Sequence, residues 1–141
     1  MWDFQAREGC AAVMKNENNT LKARWRISAL SAARGTLGIC PAPGRHGEYT
    51  TDLAAILEWA PDLVLSMTEP PELMRIGAAG FADALAARDI SHITLPIRDF
   101  GAPQGETLDR WPMVSRDARQ RLSEGQRVLV HCYGGCGRPG M

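Results

Sequence analysis

Near the carboxyl end of the chain, a thiol, a guanidinium and three glycines stand at a spacing suited to nucleophilic chemistry on a tetrahedral anion. Cys132 is followed after five residues by Arg138, with Gly134, Gly135 and Gly137 between them. The successive backbone N–H groups from Tyr133 to Arg138 can curl toward one point only where several positions accept unusual φ and ψ, which glycine permits. A tetrahedral oxyanion fits that concavity, and the Arg138 guanidinium can bind two of its oxygens in a forked contact that lysine cannot reproduce. Converging N–H dipoles and a nearby cation lower a thiol's pKa below its free value of about 8.5. Cys132 is expected beneath the anion as a thiolate nucleophile, with Tyr133, Gly134, Gly135, Cys136, Gly137 and Arg138 forming the cradle.

A thiolate that displaces an alkoxide from phosphorus requires a general acid, because alkoxides leave poorly near neutral pH. Asp99, in the segment LPIRDFGAP, lies 33 positions before Cys132 in a loop bounded by Gly and Pro, from which it can project over the cradle. The alternative is that Asp99 caps a turn, a common use of aspartate in such loops. Asp109 and Asp117 fall on or near a helix and point elsewhere. His131 is expected to orient the loop by hydrogen bonding rather than to transfer protons. Cys136 is either a small filler or a residue that pairs with Cys132 on oxidation. Arg45 and His46 either help to recognise substrate or are simply solvated, and Tyr133 either walls the pocket or packs in the core.

The phrase HCYGGCGR after the aliphatic run RVLV, together with Asp99 in its loop, resembles the cysteine-dependent protein tyrosine and dual-specificity phosphatases. The likeness is greatest to the kinase-associated, cyclin-dependent-kinase-inhibitor-3-like branch and its bacterial relatives, and it covers roughly residues 26–141. It implies a protein-tyrosine-phosphatase-like fold, Cys132 as nucleophile, Arg138 and the loop amides as the phosphate site, and Asp99 as acid and then base. It implies no metal and no cofactor. The partner it implies is a phosphorylated protein or a small phosphomonoester, with phosphotyrosine first and phosphoserine and phosphothreonine as further substrates. The loop carries no Lys between Cys132 and Arg138, which disfavours polyanionic lipid or inositol phosphates.

Two features depart from the family. Pro139 stands where the family usually has Ser or Thr, whose hydroxyl can hydrogen-bond the catalytic sulfur; thiolate stabilisation and hydrolysis of the phosphocysteine are expected to suffer, although proline is acceptable in a helix's first turn. The family also continues into a long helix beyond the position of Met141. The reading is therefore a domain, residues 25–141, that lacks its carboxyl-terminal helices and leaves part of its sheet uncovered. Two other readings stand beside the phosphatase. One is a phosphate-binding or interaction module that keeps the cradle but turns over poorly; the other is a rhodanese-like or arsenate-reductase-type thiol enzyme, which would not need Asp99.

The elements that must position these residues follow from the periodicities. Residues 1–24 lack a clean pattern, contain KNENNT and read as a loose extension, with Met14 as an alternative start. Trp25–Leu30 and Thr36–Cys40 are strand candidates forming an antiparallel edge pair, with Gly35 supplying the turn. From Thr51, Leu53, Ile56, Leu57 and Ala60 recur at helical spacing, with Thr50 or Thr51 as cap and Pro61 as stop. Leu63, Val64, Leu65 and Met67 read as a buried strand, TEPPEL as a short helical turn, and Phe81, Ala84 and Leu85 as a helix ending near Arg88. Ile93, Leu95 and Ile97 alternate as a third central strand. A helix is predicted from Pro112, with Trp111, Val114, Ala118 and Leu122 on one face, and a stop at Gly125. Strands and helices then alternate up to the Arg127–Val130 strand. This is an α/β pattern: a central, mostly parallel sheet flanked by helices, whose strand ends bring the loops after Met67, around Asp99 and after Cys132 to one rim.

Composition narrows the remaining classes. At 141 residues and 45% apolar content the chain can bury one modest core. Sixteen basic residues balance sixteen acidic ones, so nothing favours nucleic acid or an anionic membrane surface. No apolar run reaches the roughly 20 residues that span a bilayer, and the first ten residues do not resemble a secretory signal. Four irregularly spaced cysteines in an α/β pattern suit a reducing compartment, so a cytoplasmic protein is expected. Cys132 and Cys136 lack the second close Cys/His pair that a zinc site needs. The oligomeric state is not encoded in any of these features.

Overall fold

In the computed structural model, which describes residues 25–97 and 104–133, the short aliphatic runs become strands of one sheet. They are β1 (Ser28–Ala32), β2 (Gly35–Pro41), β3 (Leu63–Ser66), β4 (Ser91–Thr94) and β5 (Arg127–Cys132), in the spatial order β1-β2-β5-β3-β4. Strands β2, β5, β3 and β4 run parallel, while β1 pairs antiparallel with β2. The connections are made by α1 (Tyr49–Trp59), α2 (Pro70–Arg75), α3 (Phe81–Ala86) and α4 (Gly105–Ser123). The expected α/β class, a mostly parallel sheet flanked by helices, is what the chain adopts. The extension expected over residues 1–24 lies outside the described residues.

Strand β5 sits at the middle of the sheet because it can be buried on both faces. Val128 and Val130 face α4, against Leu37, Ile39, Leu63, Leu65, Val114, Ala118 and Leu122, whereas Leu129 packs on the other side with Ile56, Val64, Phe81 and Leu85. A parallel strand covered on both faces is expected to be a nearly continuous apolar run, as VLV is. Among the described residues, the large apolar side chains left exposed, Met74, Leu108 and Met113, sit on helices; those of the three inner strands are buried.

Several local expectations shift. The edge strand begins at Ser28 rather than Trp25; the Trp25 indole instead donates to the carbonyls of Pro41 and Ala42, at 3.0 and 3.1 Å. Gly35 is not the turn residue but the first residue of β2, and Ala33, with φ of 52°, takes the left-handed position. Glycine is required at 35 for another reason: a Cβ there would lie 2.2 Å from the Gln126 carbonyl oxygen. Helix α1 starts at Tyr49, with Glu48 rather than Thr50 or Thr51 at its N-cap. It ends at Trp59, and its C-cap Ala60, just before Pro61, has φ of 57°.

Among the described residues, the strand containing Ile93 is not central but lies at the edge, bonded to β3. Beyond it the backbone stays extended, Leu95 and Ile97 donating to the carbonyls of Ser66 and Met67 at 2.8 and 3.3 Å. The last helix begins at Gly105, ahead of the predicted start at Pro112, and runs through that proline. Tertiary bonds hold its early turns: Thr107 Oγ1 donates to the Pro96 carbonyl at 2.8 Å and Arg110 to the Thr94 carbonyl at 3.0 Å.

Candidate functional site

The parallel arrangement places the carboxyl ends of β2, β5, β3 and β4 along one rim, and Cys132 is the last residue of the middle strand there. Its root is tied on both sides. Pro41 pairs with Cys132 across β2, Ala42 N–H donates to the Tyr133 carbonyl at 3.2 Å, and Met67 N–H donates to the His131 carbonyl at 2.9 Å. The Cys132 side chain is 2% exposed and shares the α4-side cluster with Val130, Leu95 and Ile97. Cys40, on the adjacent strand opposite His131, is not in a disulfide. Burial pushes the Cys40 thiol well above its ordinary pKa, and the neighbouring Cys132 and Asp52 push it further the same way. Cys40 therefore stays a thiol.

Gly134, Gly135, Cys136, Gly137, Arg138 and Pro139, which the spacing assigns to the cradle and its exit, lie outside the described residues, as does Asp99. Ile97, two positions before Asp99, lies in the same cluster as Cys132, and Gln104 re-enters at the head of α4. The sheet thus brings the residues flanking the Asp99 loop and the root of the Cys132 loop to the same face of the rim.

On the opposite face His131 is fully buried. Its Nε2 lies 2.6 Å from Ser66 Oγ, which in turn lies 2.7 Å from His92 Nε2. Its Nδ1 lies 3.4 Å from the Cys132 carbonyl oxygen. Phe81 meets both rings edge-on, with centroids 5.4 Å from His131 and 5.8 Å from His92. Burial holds the His92 pKa below the ordinary histidine value. Neither Ser66 nor His92 was singled out from sequence. The available signals were a hydroxyl in the otherwise apolar strand run LVLS, and a His beside the Ile93 alternation.

The loop between β2 and α1 meets the end of β5 at Tyr133. The Asp52 carboxylate, buried in the first turn of α1, accepts the Gly44 N–H at 2.8 Å. Burial raises the Asp52 pKa, while that hydrogen bond opposes the rise. Gly44 has φ of 91°, and a Cβ there would lie 2.7 Å from the Ile76 carbonyl, so the loop path requires glycine. The same loop carries Arg45, exposed, whose guanidinium carbon lies 5.1 Å from the centre of the half-buried Tyr133 ring. The structure therefore brings Arg45 and Tyr133 together directly after Cys132; His46 is exposed. Thr68, just past β3, is 1% exposed, and its hydroxyl lacks a hydrogen-bond partner.

No protein-family model matches the chain, and no curated protein sequence matches it. Solved structures do match it, two phosphatases among them. A crystal structure of kinase associated phosphatase, with its catalytic site cysteine substituted by serine, matches with a TM-score of 0.69 and 23% identity, covering 81% of this chain and 67% of that one. The crystal structure of Tk-PTP in the active form matches with a TM-score of 0.57 and 27% identity, covering 80% of this chain and 67% of that one. The fold is that of the protein tyrosine and dual-specificity phosphatases.

Two of the open clefts lined by described residues lie at opposite ends of the sheet. One, of about 490 Å³, lies at the rim among Glu69, Thr94, Pro96, Glu106 and Arg110. The other, of about 450 Å³, lies at the opposite end of the sheet among Leu57, Asp62, Arg88, Arg121 and Gln126, at the amino ends of β3 and β5 and away from Cys132. Only the first adjoins the thiol's rim. Among the described residues, no three His, Cys, Asp or Glu side chains are grouped to hold a metal ion, and no helix is long and apolar enough to cross a membrane.

Proposed function

We propose that this chain hydrolyses phosphate monoesters through a phosphocysteine, with protein phosphotyrosine as the first substrate class and phosphoserine, phosphothreonine and small aryl phosphates as further ones. The observation that carries the reading is the place of Cys132, at the carboxyl end of the central parallel strand in a phosphatase-type fold, with Arg138 five residues beyond it in sequence. In this scheme Cys132 Sγ attacks phosphorus as the bond to the leaving oxygen breaks, and Asp99 gives that oxygen its proton. The Asp99 carboxylate next takes a proton from water, whose oxygen attacks phosphorus. The S–P bond breaks, inorganic phosphate leaves and the thiolate is restored. Loop amides and Arg138 balance the charge on the equatorial oxygens. Arg45, held against Tyr133, adds positive charge at the entrance.

The decisive assay is hydrolysis of p-nitrophenyl phosphate by the full chain beside Cys132→Ser. Turnover lost in the variant, with a phosphoenzyme trapped on the peptide carrying Cys132, is the expected result; turnover unchanged by Cys132→Ser overturns the proposal. Pro139, which removes the hydroxyl expected near the sulfur, favours a second reading, a phosphate-binding module. Phosphate binding without turnover in the same experiment selects it.

A further inference from the structure

We propose that Arg45 receives a carboxylate side chain flanking the phosphorylated residue of a peptide substrate, and that the buried Asp52 is its positioning residue; the proposal rests on Cys132 being the nucleophile. The Arg45 guanidinium carbon stands 5.1 Å from the centre of the Tyr133 ring, and Tyr133 directly follows Cys132. A substrate residue whose phosphate reaches Cys132 passes this ring, so the peptide residue beside it comes within reach of Arg45. Contact with a ring face occupies none of a guanidinium's N–H donors. Among the described residues the exposed Arg45 side chain has neither a hydrogen-bond acceptor nor an acidic side chain at ion-pair distance. A fork of donors already held against a ring loses little freedom on meeting a planar carboxylate. Glu48, exposed in the same loop, offsets the Arg45 charge, which suits a monoanion better than a second phosphate.

The backbone that carries Arg45 is tied from three directions. Arg45 N–H donates to the Ala42 carbonyl at 3.2 Å, Ala42 N–H to the Tyr133 carbonyl at 3.2 Å, and Gly47 N–H to the Gly44 carbonyl at 2.9 Å. Gly44, immediately before Arg45, is buried with φ of 91°, and its N–H donates to Asp52 Oδ2 at 2.8 Å. The Asp52 side chain is 4% exposed, so without its acceptor the Gly44 N–H is left in a buried place with no partner, a costly state. The Ile76 carbonyl crowds the other side of Gly44, 2.7 Å from where a Cβ would stand. The loop relieves that cost by moving, and Arg45, the next residue, moves off the Tyr133 ring with it. Asp52 thus acts on substrate only through the place of Arg45.

Short peptides with one phosphotyrosine test this on the full chain, with Glu, Gln or phosphoserine beside it, on the amino flank in one set and the carboxyl flank in the other. In at least one set kcat/KM is expected to be roughly three- to fivefold higher for Glu than for Gln, the size of one exposed ion pair, with the difference carried by KM. Arg45→Gln should abolish that preference, and Arg45→Lys, which keeps the charge but not the fork, should lose most of it. Asp52→Ala should weaken the preference as Arg45→Gln does, with no further fall when the two are combined. Asp52→Asn, whose carbonyl can still accept the Gly44 N–H, should restore it. The carboxylate contact is overturned by equal rates for Glu and Gln on both flanks, by a preference that survives Arg45→Gln or survives Arg45→Lys in full, or by phosphoserine being preferred to Glu. An unchanged preference in Asp52→Ala overturns the positioning role; should that variant fail to fold, Asp52→Leu takes its place and is read the same way. If the unaltered chain hydrolyses no phosphate ester, the phosphatase reading fails, and the same ratios are read as Kd values from fluorescence anisotropy of the labelled peptides. Peptides that do not bind at all overturn both.

Discussion

At the scale of single residues, the sharpest demands come from positions with no room. Gly35 lies against backbone rather than against a side chain that could yield, since its missing Cβ would sit 2.2 Å from the Gln126 carbonyl and 2.9 Å from that of Leu122. Gly35→Ala is expected to destabilise the chain by about 3 kcal/mol, the upper end of typical overpacking costs, measured by urea denaturation; a loss within ±0.5 kcal/mol would show that the β5 approach is soft. For the chemistry, Asp99→Asn is expected to reduce kcat/KM for alkyl phosphates by about 10²-fold or more while aryl phosphates lose less, because a phenoxide leaves with little help from a proton. Equal losses on both would remove Asp99 from the role of acid. Cys132, Arg138 and the glycines could be proposed together from sequence because they are close neighbours in the chain. Ser66 and His92 could not, because they meet His131 only when β3, β4 and β5 come into register.

At the scale of elements, the periodic segments were readable and their boundaries were not. Pro112 shows why. Proline at a helix's first turn is the common case, so the sequence predicts a start near Pro112, yet α4 begins at Gly105 because Thr107 and Arg110 bond its early turns to Pro96 and Thr94. Those bonds are tertiary and leave no local trace. An interior proline removes one helical hydrogen bond and crowds the carbonyl four residues earlier, here Leu108. Pro112→Ala is accordingly expected to stabilise the chain by up to about 3 kcal/mol, seen as a higher Tm. A lower Tm would mean that the bend itself seats Trp111 and Val114 on the sheet. The misplacing of β4 has a similar origin: Ile93, Leu95 and Ile97 alternate as a strand should, but alternation says nothing about whether a strand has one neighbour or two.

For the whole molecule, class and layer order were legible from alternating strand and helix patterns, since α/β chains have few ways to cover both faces of a parallel sheet. The insertion of β5 between β2 and β3 was not, because no local feature records which strands pair. Stability should also respond to pH as a property of the folded state. His92 has its pKa lowered by burial from 6.5. Below about 6.5 the unfolded chain binds the proton first, so His92's contribution is complete above that value and is lost as pH falls through the folded-state pKa. Tm is expected to fall on moving from pH 7 toward 5.5, and His92→Gln should flatten that segment of the profile; an identical slope in the variant would assign it to other groups.

Among the described residues, strand β5 is hydrogen-bonded on both sides, whereas β1 and β4 are bonded on one. When the molecule breathes, the margins should peel first, so deuterium uptake should reach β1 and β4 early and the backbone from Val128 to Val130 last. The thiol at residue 132 is then mounted on the segment that survives every partial opening short of complete unfolding.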